Sequence, residues 1–465
     1  MEKDDTKGMR KIHKIKRSNR AKARFLSLAL AFLLCMSGML LTSCSISKSA
    51  TGTSASESRT AAKKDAKNAL KPSSKKGESS EKTSNDTDSD KSSSKTDSNS
   101  AQSETSAESK SQSSEDSGNR VSFLAVGDDL IHDSVLDTAD AAAGSKGDSQ
   151  YDFRPIYQNV KEDIEGADLS FINQETIIGG GRKGYPCFNS PDALFDALGD
   201  TGFDVVNGAT NHSMDAGVQS IRHEIELFRN SPMTLLGLYE NASERNTIPV
   251  VERNGVKIAF LTYAYGLNSS RDRTHVSLFD EKRLTDQVNQ AKTMADFVVV
   301  SAHWGVEYQD STNSMQEKYA KLMTDLGVDL VVGTHPHCIQ PACWYTNASG
   351  HRTLVLYSLG NFVSGQKNEK SMYEGMFKCS FVIKDGQKSI EDARWIPLID
   401  YYQARQKNAK ELYNFSNVQV YKASQFTAEL SQTHGLTGFQ NMEVSKDRCL
   451  AHTRQIITEI PIEDN

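Results

Sequence analysis

Two histidines flank a proline in the stretch Val331-Val-Gly-Thr-His-Pro-His-Cys338, directly after an apolar run. An imidazole that leaves water needs a hydrogen-bond partner or a metal ion for its ring nitrogens. Two interpretations are open from these residues alone: a polar loop at the end of a strand, or a pair of metal ligands, His335 and His337. The chemistry of a metal site would be metal-assisted hydrolysis or transfer.

Polar side chains follow other apolar, β-branched runs in the same way. The runs and the residues after them are Val121–Val126 with Asp128, Ala167–Ile172 with Glu175, Phe203–Val206 with Asn211 and His212, Asp296–Val300 with His303, Val328–Val332 with His335 and His337, and Thr353–Tyr357 with Asn361. In sheets with helical crossovers the carboxyl ends of the strands share one edge, so we expect these side chains to line one crevice. Carboxylates, an amide and imidazoles are ligands of zinc, manganese or iron.

Each of these residues also has a purely structural explanation. An aspartate after a strand is often a helix N-cap, and Asn-His in a loop is often part of a turn. The repetition of the pattern at successive strand ends favours a metal site over separate structural roles.

The alternation of short apolar runs with helical segments predicts an α/β fold or a layered α+β fold. The segment Val121–Asn465 is long enough for one large domain or for one domain plus an appendage. We therefore expect a domain at 120–400 and a C-terminal extension at 401–465 that packs on it.

The N-terminus has a basic patch followed by the apolar run Phe25–Leu41, which is the order of a secretory leader. The run ends in Leu41-Thr-Ser-Cys44, which resembles the lipobox of bacterial lipoproteins. Residues 1–44 are therefore interpreted as a lipoprotein-type signal peptide with Cys44 as the lipidated residue, and an uncleaved membrane helix is the alternative. Both interpretations place the rest of the chain at the cell membrane, on its extracytoplasmic face.

Residues 45–119 consist almost entirely of Ser, Thr, Lys, Asp, Glu, Ala and Gly. This composition cannot offset the entropy of ordering, so it predicts a disordered linker. The formal net charge of the whole chain is -6, and much of its positive charge lies in the leader. The exported part is therefore acidic, which argues against nucleic acid as a partner.

Of the seven cysteines, five lie beyond the lipobox. An odd number is not a complete disulfide framework, so buried or free thiols are expected.

A series of motifs in this order resembles the bacterial capsule-synthesis CapA family, which is associated with poly-γ-glutamate production. The resemblance runs from about Val121 to about Gly365, and as a linked series it is specific. The motifs are Gly127-Asp128, Asn173-Gln-Glu175, Thr210-Asn211-His212 with Asp215 and Gly217, His303-Trp304-Gly305 with Glu307-Tyr308, Gly333-Thr-His335-Pro336-His337 with Gln340, and Tyr357-Ser-Leu-Gly-Asn-Phe362.

The family is in turn similar to calcineurin-like metallophosphoesterases, whose fold is a two-sheet sandwich flanked by helices with a dinuclear metal site at the strand ends. The resemblance implies a divalent metal cofactor, manganese, zinc or iron, and a role for each matching residue. By this resemblance Asp128 binds the first metal, Glu175 bridges the two metals, Asn211 and His303 bind the second metal, His335 and His337 complete the ligand set, and His212 is the acid or phosphate-orienting group.

Two positions depart from the patterns of these families. Gln174 stands where an apolar residue is usual between Asn and Glu, a change that leaves the Glu175 carboxylate in place. The other departure is from the metallophosphoesterase pattern of Asp, one residue and His. Here Asp128 is followed by Asp129 and Leu130, which leaves the first metal one ligand short unless His132 supplies it.

Three further residues near the strand ends are candidates for contacts with substrate. Trp304 and Tyr308 could wall a substrate groove, and Asn361 could orient a ligand. Core packing is the alternative for the two aromatic residues, and holding a turn is the alternative for Asn361.

The sequence therefore predicts a membrane-tethered protein that functions in the synthesis, export or anchoring of poly-γ-glutamate or another surface polymer. The site would carry out metal-dependent hydrolysis or transfer, and a membrane synthase complex is the expected partner. Two alternatives stay open: a non-catalytic scaffold or polymer-binding subunit of that synthase, and a generic secreted metallophosphoesterase.

Overall fold

The computed structural model describes residues 119–269 and 272–464. The predicted leader at 1–44 with Cys44, and the predicted linker up to residue 118, lie outside the described residues. Within the described ranges, no helix combines the length and the apolar character needed to cross a membrane.

Strands and helices alternate through most of the described chain, as the sequence predicts. The strands are β1 Asn119–Asp129, β2 Leu169–Gln174, β3 Val205–Asn207, β4 Thr234–Leu236, β5 Val250–Arg253, β6 Val256–Ala264, β7 Phe297–His303, β8 Leu330–Thr334, β9 Ile339–Thr346, β10 Arg352–Leu359, β11 Asn361–Val363, β12 Tyr373–Lys384, β13 Gln387–Asn408 and β14 Glu411–Lys422. The α-helices are α1 Asp133–Ala142, α2 Arg154–Tyr157, α3 Lys161–Glu165, α4 Ala193–Thr201, α5 Val218–Arg229, α6 Glu281–Ala291, α7 Ser314–Leu326, α8 Ala428–Thr433 and α9 Lys446–Ile456. Short 3-10 helices span Glu244–Asn246, Glu369–Met372, Ala423–Gln425 and Phe439–Asn441.

The strands form two sheets. An eight-stranded sheet has the order β14-β13-β12-β1-β2-β3-β4, with β11 paired to β1 beside this path, and a six-stranded sheet has the order β5-β6-β7-β8-β10-β9. The strands β1 to β4 are parallel to one another, and so are β6, β7, β8 and β10. Each parallel set therefore directs its carboxyl ends to one edge of its sheet.

Alternate residues of the central strands pack into different layers. Phe123 of β1 and Phe297 of β7 belong to the apolar layer between the sheets, whereas Leu124 of β1 belongs to the layer that includes residues of α1 and α4. Val298 of β7 belongs to a third layer with residues of α6 and α7. Since side chains alternate across a strand, one strand contributes to two cores. The predicted two-sheet sandwich flanked by helices is confirmed.

The strand β13 runs through residue 400 without interruption, and its partner β14 completes the edge of the eight-stranded sheet. Tyr401 and Tyr402 are buried in the same apolar layer as Leu398 and Ile399. The boundary predicted at 400 therefore falls inside a strand, and residues 401–422 are part of the sheet rather than an extension packed on the domain. The periodicity of the sequence did not predict these strands, because apolar runs and loops differ little in composition after Trp395.

Polar residues at the strand ends align across the sheets. Asp128 of β1 lies beside Asn173 of β2, which in turn lies beside Asn207 of β3. In the other sheet, His303 of β7 pairs in register with Thr334 of β8. This alignment assembles the predicted site residues at one edge of the sandwich.

Two glycines allow the chain to approach itself closely beside Asp128. A Cβ atom at Gly127 would lie 1.9 Å from the carbonyl oxygen of Gly360, and the N–H of Asp128 donates to that oxygen at 2.9 Å. Gly360 also has a positive φ of 75°, which favours glycine. The crossing brings the end of β1 against Asn361.

Candidate metal centre

The loop after β8 holds His335 and His337 in a backbone conformation that is unusual for residues with side chains. Their φ angles are 96° and 56°, on either side of Pro336. The backbone N–H of His335 donates to both carboxylate oxygens of Asp128, at 3.2 and 3.0 Å. Such strained conformations persist where the surroundings fix them and cluster at functional sites. Asp128 is therefore a residue that positions this loop.

His337 is oriented through its Nδ1 atom. Nδ1 lies 3.0 Å from the Oδ1 atom of Asn361 and 3.2 Å from the Oδ2 atom of Asp128, so it carries the proton. In the neutral form of the ring Nε2 has the lone pair, and this atom lies 3.7 Å from the Oε1 atom of Glu175. A histidine whose Nδ1 donates to an oxygen while Nε2 is free is the arrangement of a metal ligand.

His303 is held on the other side of Glu175. Its Nδ1 atom lies 3.0 Å from the Oγ1 atom of Thr334, and its Nε2 atom lies 2.7 Å from the Oδ1 atom of Asn211 and 3.8 Å from the Oε1 atom of Glu175. Asn173 lies between His303 and Asp128, because its Nδ2 atom donates to Asp128 at 2.7 Å and lies 3.4 Å from the Nδ1 atom of His303.

Several buried polar atoms at the centre have no hydrogen-bond partner within the described residues. They are both carboxylate oxygens of Glu175, the Nδ1 atom of His335 and the Nδ2 atom of Asn211. A buried carboxylate without a hydrogen-bond partner is costly, so the Glu175 oxygens, together with the ring nitrogen of His335, fit a cation, whereas the amide Nδ2 atom of Asn211 is a donor and does not. One ligand atom from each of Glu175, His335 and His337 lies within 4.8 Å of the other two. A candidate metal site is thus present, with oxygen and nitrogen donors.

Burial dominates the ionisation of the groups at the centre. Burial raises the pKa of Glu175 well above its usual range, and it lowers the pKa of His335 and His303 well below theirs. For His337 burial alone would lower the pKa, but the neighbouring Glu175 and Asp128 carboxylates raise it to about 9. Neutral imidazoles at 335 and 303 are the form that can bind a metal.

His212 lies at the rim of this centre and is fixed by an acid. Its Nδ1 atom lies 2.6 Å from the Oδ2 atom of Asp215, which also accepts the backbone N–H of Phe188 at 2.9 Å. The Nε2 atom lies 3.5 Å from the Nδ2 atom of Asn268. The pair of His212 and Asp215 is suited to give or take a proton.

Three residues were predicted to contact substrate, and for Trp304 that prediction is wrong. Its side chain is fully buried in the layer between the six-stranded sheet and α7, and its indole N–H donates to the carbonyl of Tyr357 at 2.9 Å. Asn361 is also buried, and its Oδ1 atom orients the candidate ligand His337; a contact of Asn361 with substrate stays a prediction. Tyr308 is 42% exposed with its ring 6.0 Å from that of His337, where a substrate contact stays a prediction.

His132 lies outside the group of three candidate ligands. Its Nδ1 atom accepts the backbone N–H of Gly365 at 3.1 Å, and its ring packs edge-to-face against Phe188. The ligand missing from the metallophosphoesterase pattern is therefore not replaced by His132 in this conformation.

The sequence did not identify every residue that supports the centre. Asn173 and Asp215 stood within the quoted motifs, and the signal for both was a short polar residue beside a candidate ligand. Tyr265, whose ring lies 4.5 Å from that of His335, follows β6 in a stretch without any motif. Only the parallel pairing of β6 with β7 brings it there.

Comparison with known families identifies the chain's relatives. The model of the family described as bacterial capsule synthesis protein PGA_cap matches residues 122–366, which is just over half of the 465 residues. The chain belongs to this family of bacterial capsule synthesis proteins. The resemblance seen in the sequence motifs is thereby confirmed.

Two curated relatives are similar to part of the chain. The PGA biosynthesis protein CapA of Bacillus subtilis (strain 168) is 35% identical over 174 residues, covering 36% of this chain and 44% of that protein. The capsule biosynthesis protein CapA of Bacillus anthracis is 33% identical over 178 residues, covering 37% of this chain and 42% of that protein. The matched segments thus span less than half the length of either relative.

Two solved structures show more distant similarity. A putative 5'-nucleotidase from Staphylococcus aureus has a TM-score of 0.38 and 16% identity, covering 60% of this chain and 55% of that one. The calcineurin-like phosphoesterase YfkN from Bacillus subtilis has a TM-score of 0.38 and 13% identity, covering 60% of this chain and 90% of that one.

Proposed function

We propose that this protein acts on poly-γ-glutamate, or on a closely related surface polymer, during its synthesis, export or anchoring at the cell envelope. The action would be metal-dependent hydrolysis or transfer at the strand-end centre. The observation that carries the proposal is the pair of buried Glu175 oxygens that accept no hydrogen bond from the described residues, beside His335 and His337. The polymer is inferred from the family and from the names of the two curated relatives.

The residues fit a divalent metal of the zinc, manganese or iron type. Glu175, His335 and His337 would hold one ion, and Asn211 with His303 would hold a second ion on the other side of Glu175. When bound, such ions polarise an acyl or phosphoryl oxygen and lower the pKa of water.

The protein's own groups supply orientation and proton transfer. Asp128 and Asn361 fix the loop and the tautomer of His337. Asp215 holds Nδ1 of His212, which leaves Nε2 available to protonate a leaving group or to accept a proton. Burial of the centre keeps bulk water from the reacting groups.

Attachment to the membrane is part of the proposal and rests on the leader sequence with Cys44. Either a lipid on Cys44 or an uncleaved helix would hold the domain on the extracytoplasmic face, beside a membrane synthase that delivers the polymer.

The test measures metal content and polymer length together. The purified full chain is analysed for bound metal by elemental analysis, and its action on γ-linked polyglutamate is followed by gel electrophoresis. We expect wild type to bind metal and to shorten or transfer the polymer, and Glu175→Gln and His335→Ala to lose both properties. Glu226→Gln and His223→Ala are matched controls, because both residues lie on α5 with exposed side chains.

Wild-type protein that contains no metal and leaves the polymer unchanged would contradict the catalytic proposal. That result would favour the scaffold or polymer-binding subunit. Activity on phosphoesters without any action on the polymer would instead favour a generic metallophosphoesterase.

A further inference from the structure

A cavity of about 540 Å³ opens beside the candidate metal centre. It lies between the start of α1, the loop that carries Tyr185, and the segment Gly365–Asn368 after β11. Tyr308 links the cavity to the centre, since it lines the cavity and its ring lies 6.0 Å from that of His337. A chain bound in the cavity would therefore extend from the reacting position.

The cavity is lined by one cationic side chain, that of Lys367, among the described residues. Lys367 is exposed, and its Nζ atom lies 5.0 Å from the ring centre of Phe415. Among residues 119–269 and 272–464, no carboxylate forms an ion pair with Lys367. An unpaired ammonium in a partly enclosed cavity attracts an anionic group.

The amino-terminal end of α1 adds a second anion-binding feature. This helix has ten residues, and its N-cap residue His132 makes no side-chain hydrogen bond to the first turn. The first N–H groups of a helix lack partners within the helix and carry partial positive charge. Ser134 lines the cavity, is 8% exposed, and its Oγ atom has no hydrogen-bond partner within the described residues.

Aromatic side chains form the walls of the cavity. Tyr185 is 71% exposed and its ring stacks near that of His132, while Tyr308 and Phe415 stand at other positions of the wall. Flat apolar faces beside one cation suit a chain of methylene and amide groups that carries a carboxylate at intervals. They suit a compact, multiply charged ion less well.

We propose that this cavity is a subsite for a γ-linked glutamate chain, in which Lys367 and the start of α1 bind one α-carboxylate next to the reacting bond. The proposal rests on the proposed function and adds the residues that recognise the polymer. The carboxylate would accept hydrogen bonds from the Lys367 ammonium and the Ser134 hydroxyl, and the tyrosines would contact the methylene groups.

One residue at the same rim has the opposite charge. Asp133 lines the cavity and is exposed. Its carboxylate repels a bound anion, so its removal should strengthen binding whereas the removal of Lys367 should weaken it. A change in net charge predicts the same two directions, so a matched charge reversal away from the cavity is needed to separate a local subsite from a general effect of net charge.

The experiment measures binding of a fluorescent γ-linked glutamate oligomer of defined length to the full chain by anisotropy. We expect Lys367→Glu to weaken binding by at least about tenfold, which is the scale of one lost charged hydrogen bond. Asp133→Asn should bind more tightly than wild type, and Ser134→Ala more weakly. Bound metal should be the same in all three variants, because none of these residues belongs to the candidate ligand group.

Lys384→Glu is the matched control. Lys384 is an exposed lysine at the end of β12, near the residue that pairs with Asn119 and hence at the opposite end of β1 from Asp128. The substitution Lys384→Glu changes the net charge by the same amount as Lys367→Glu and should leave binding within about twofold of wild type.

Equal binding by wild type and Lys367→Glu would overturn the subsite, and so would an equal loss in Lys384→Glu. In either case wild-type cleavage of the polymer would leave the proposed function intact. Failure of wild type to bind the oligomer would also overturn the subsite, and the metal and polymer measurements above decide separately whether the proposed function fails.

Discussion

Trp304 and Tyr308 follow the same strand, four positions apart, and have opposite environments. Trp304 continues the burial of β7 and fills space beside Phe279, whose ring is parallel to it at 5.9 Å. Tyr308 has a positive φ of 63° and its backbone N–H donates to the carbonyl of Pro336 at 2.7 Å, which turns its side chain to the rim. The difference between the two roles lies in the backbone of a short loop.

We expect Trp304→Phe to lower the free energy of unfolding by about 1 to 3 kcal/mol, because it removes buried volume and leaves the Tyr357 carbonyl without its donor. Tyr308→Ala should change stability by less than about 0.5 kcal/mol, since the side chain is 42% exposed. Urea denaturation measures both changes in stability.

Binding of the γ-linked glutamate oligomer should show the reverse order, with the larger loss in Tyr308→Ala. A loss of binding in Trp304→Phe at unchanged stability would restore Trp304 as a substrate contact.

At the scale of elements, α5 ties together two loops of the site. It begins at Val218, directly after the loop that carries Asn211 and His212. Glu224 on its buried side accepts the backbone N–H of Ile178 at 2.9 Å, three residues after Glu175. One helix thus holds the position of both loops, and its anchor is a buried carboxyl group.

This anchor predicts a dependence of stability on pH. Burial raises the pKa of Glu224 from 4.5 to about 8. Between these values the folded chain keeps a proton that the unfolded chain has lost, so the contribution of Glu224 to stability is full below the lower value and declines as pH rises to the upper one. Glu224→Gln cannot ionise and should lack this decline.

Urea denaturation of wild type and Glu224→Gln at about pH 5 and about pH 8 checks the prediction. The stability of the variant relative to wild type should increase with pH, by at most about 1.4 kcal/mol per pH unit. Glu226→Gln, two residues along on the exposed side, should show no such trend. A constant difference between wild type and Glu224→Gln at both pH values would contradict the assigned protonation.

At the scale of the whole molecule, residues after 400 contribute to two apolar layers, the one between the sheets and the one that includes residues of α1 and α4. Val418 and Val420 of β14 are buried against the helices, and Ile457 and Ile460 after α9 are buried in the layer between the sheets. The backbone N–H of Trp395 donates to the carbonyl of Pro461 at 2.8 Å. The C-terminal segment is therefore part of the domain.

A chain that ends at Asp400 should fail to fold. The truncation exposes apolar side chains that each contribute about 1.5 to 3 kcal/mol when buried, and their sum is comparable to the net stability of a domain. Circular dichroism and bound metal, measured beside the full chain, test this. A soluble truncated protein with a cooperative unfolding transition and bound metal would mean that residues 401–465 are a separate extension after all.

The sequence alone was sufficient to predict the alternation of strands and helices, the family and the residues of the candidate site. The β-branched runs and the polar residues after them were sufficient to predict Glu175, His335 and His337, because a parallel sheet brings all its carboxyl ends to one edge. The same pattern predicted Asn211 and His212, and the family motifs added Asp215, whose spacing from His212 is short and local.

Only the tertiary structure shows which of these residues form the candidate ligand group and which hold other residues in place. Asp128 proved to hold the loop of His335 and His337 because Gly127 and Gly360 let two segments cross beside it. The extent of the domain past residue 400 depended on the pairing of β13 with β14, and the position of Lys367 beside α1 depended on β11 joining β1. These facts come from contacts between residues distant in the chain, which no local pattern of residue types encodes.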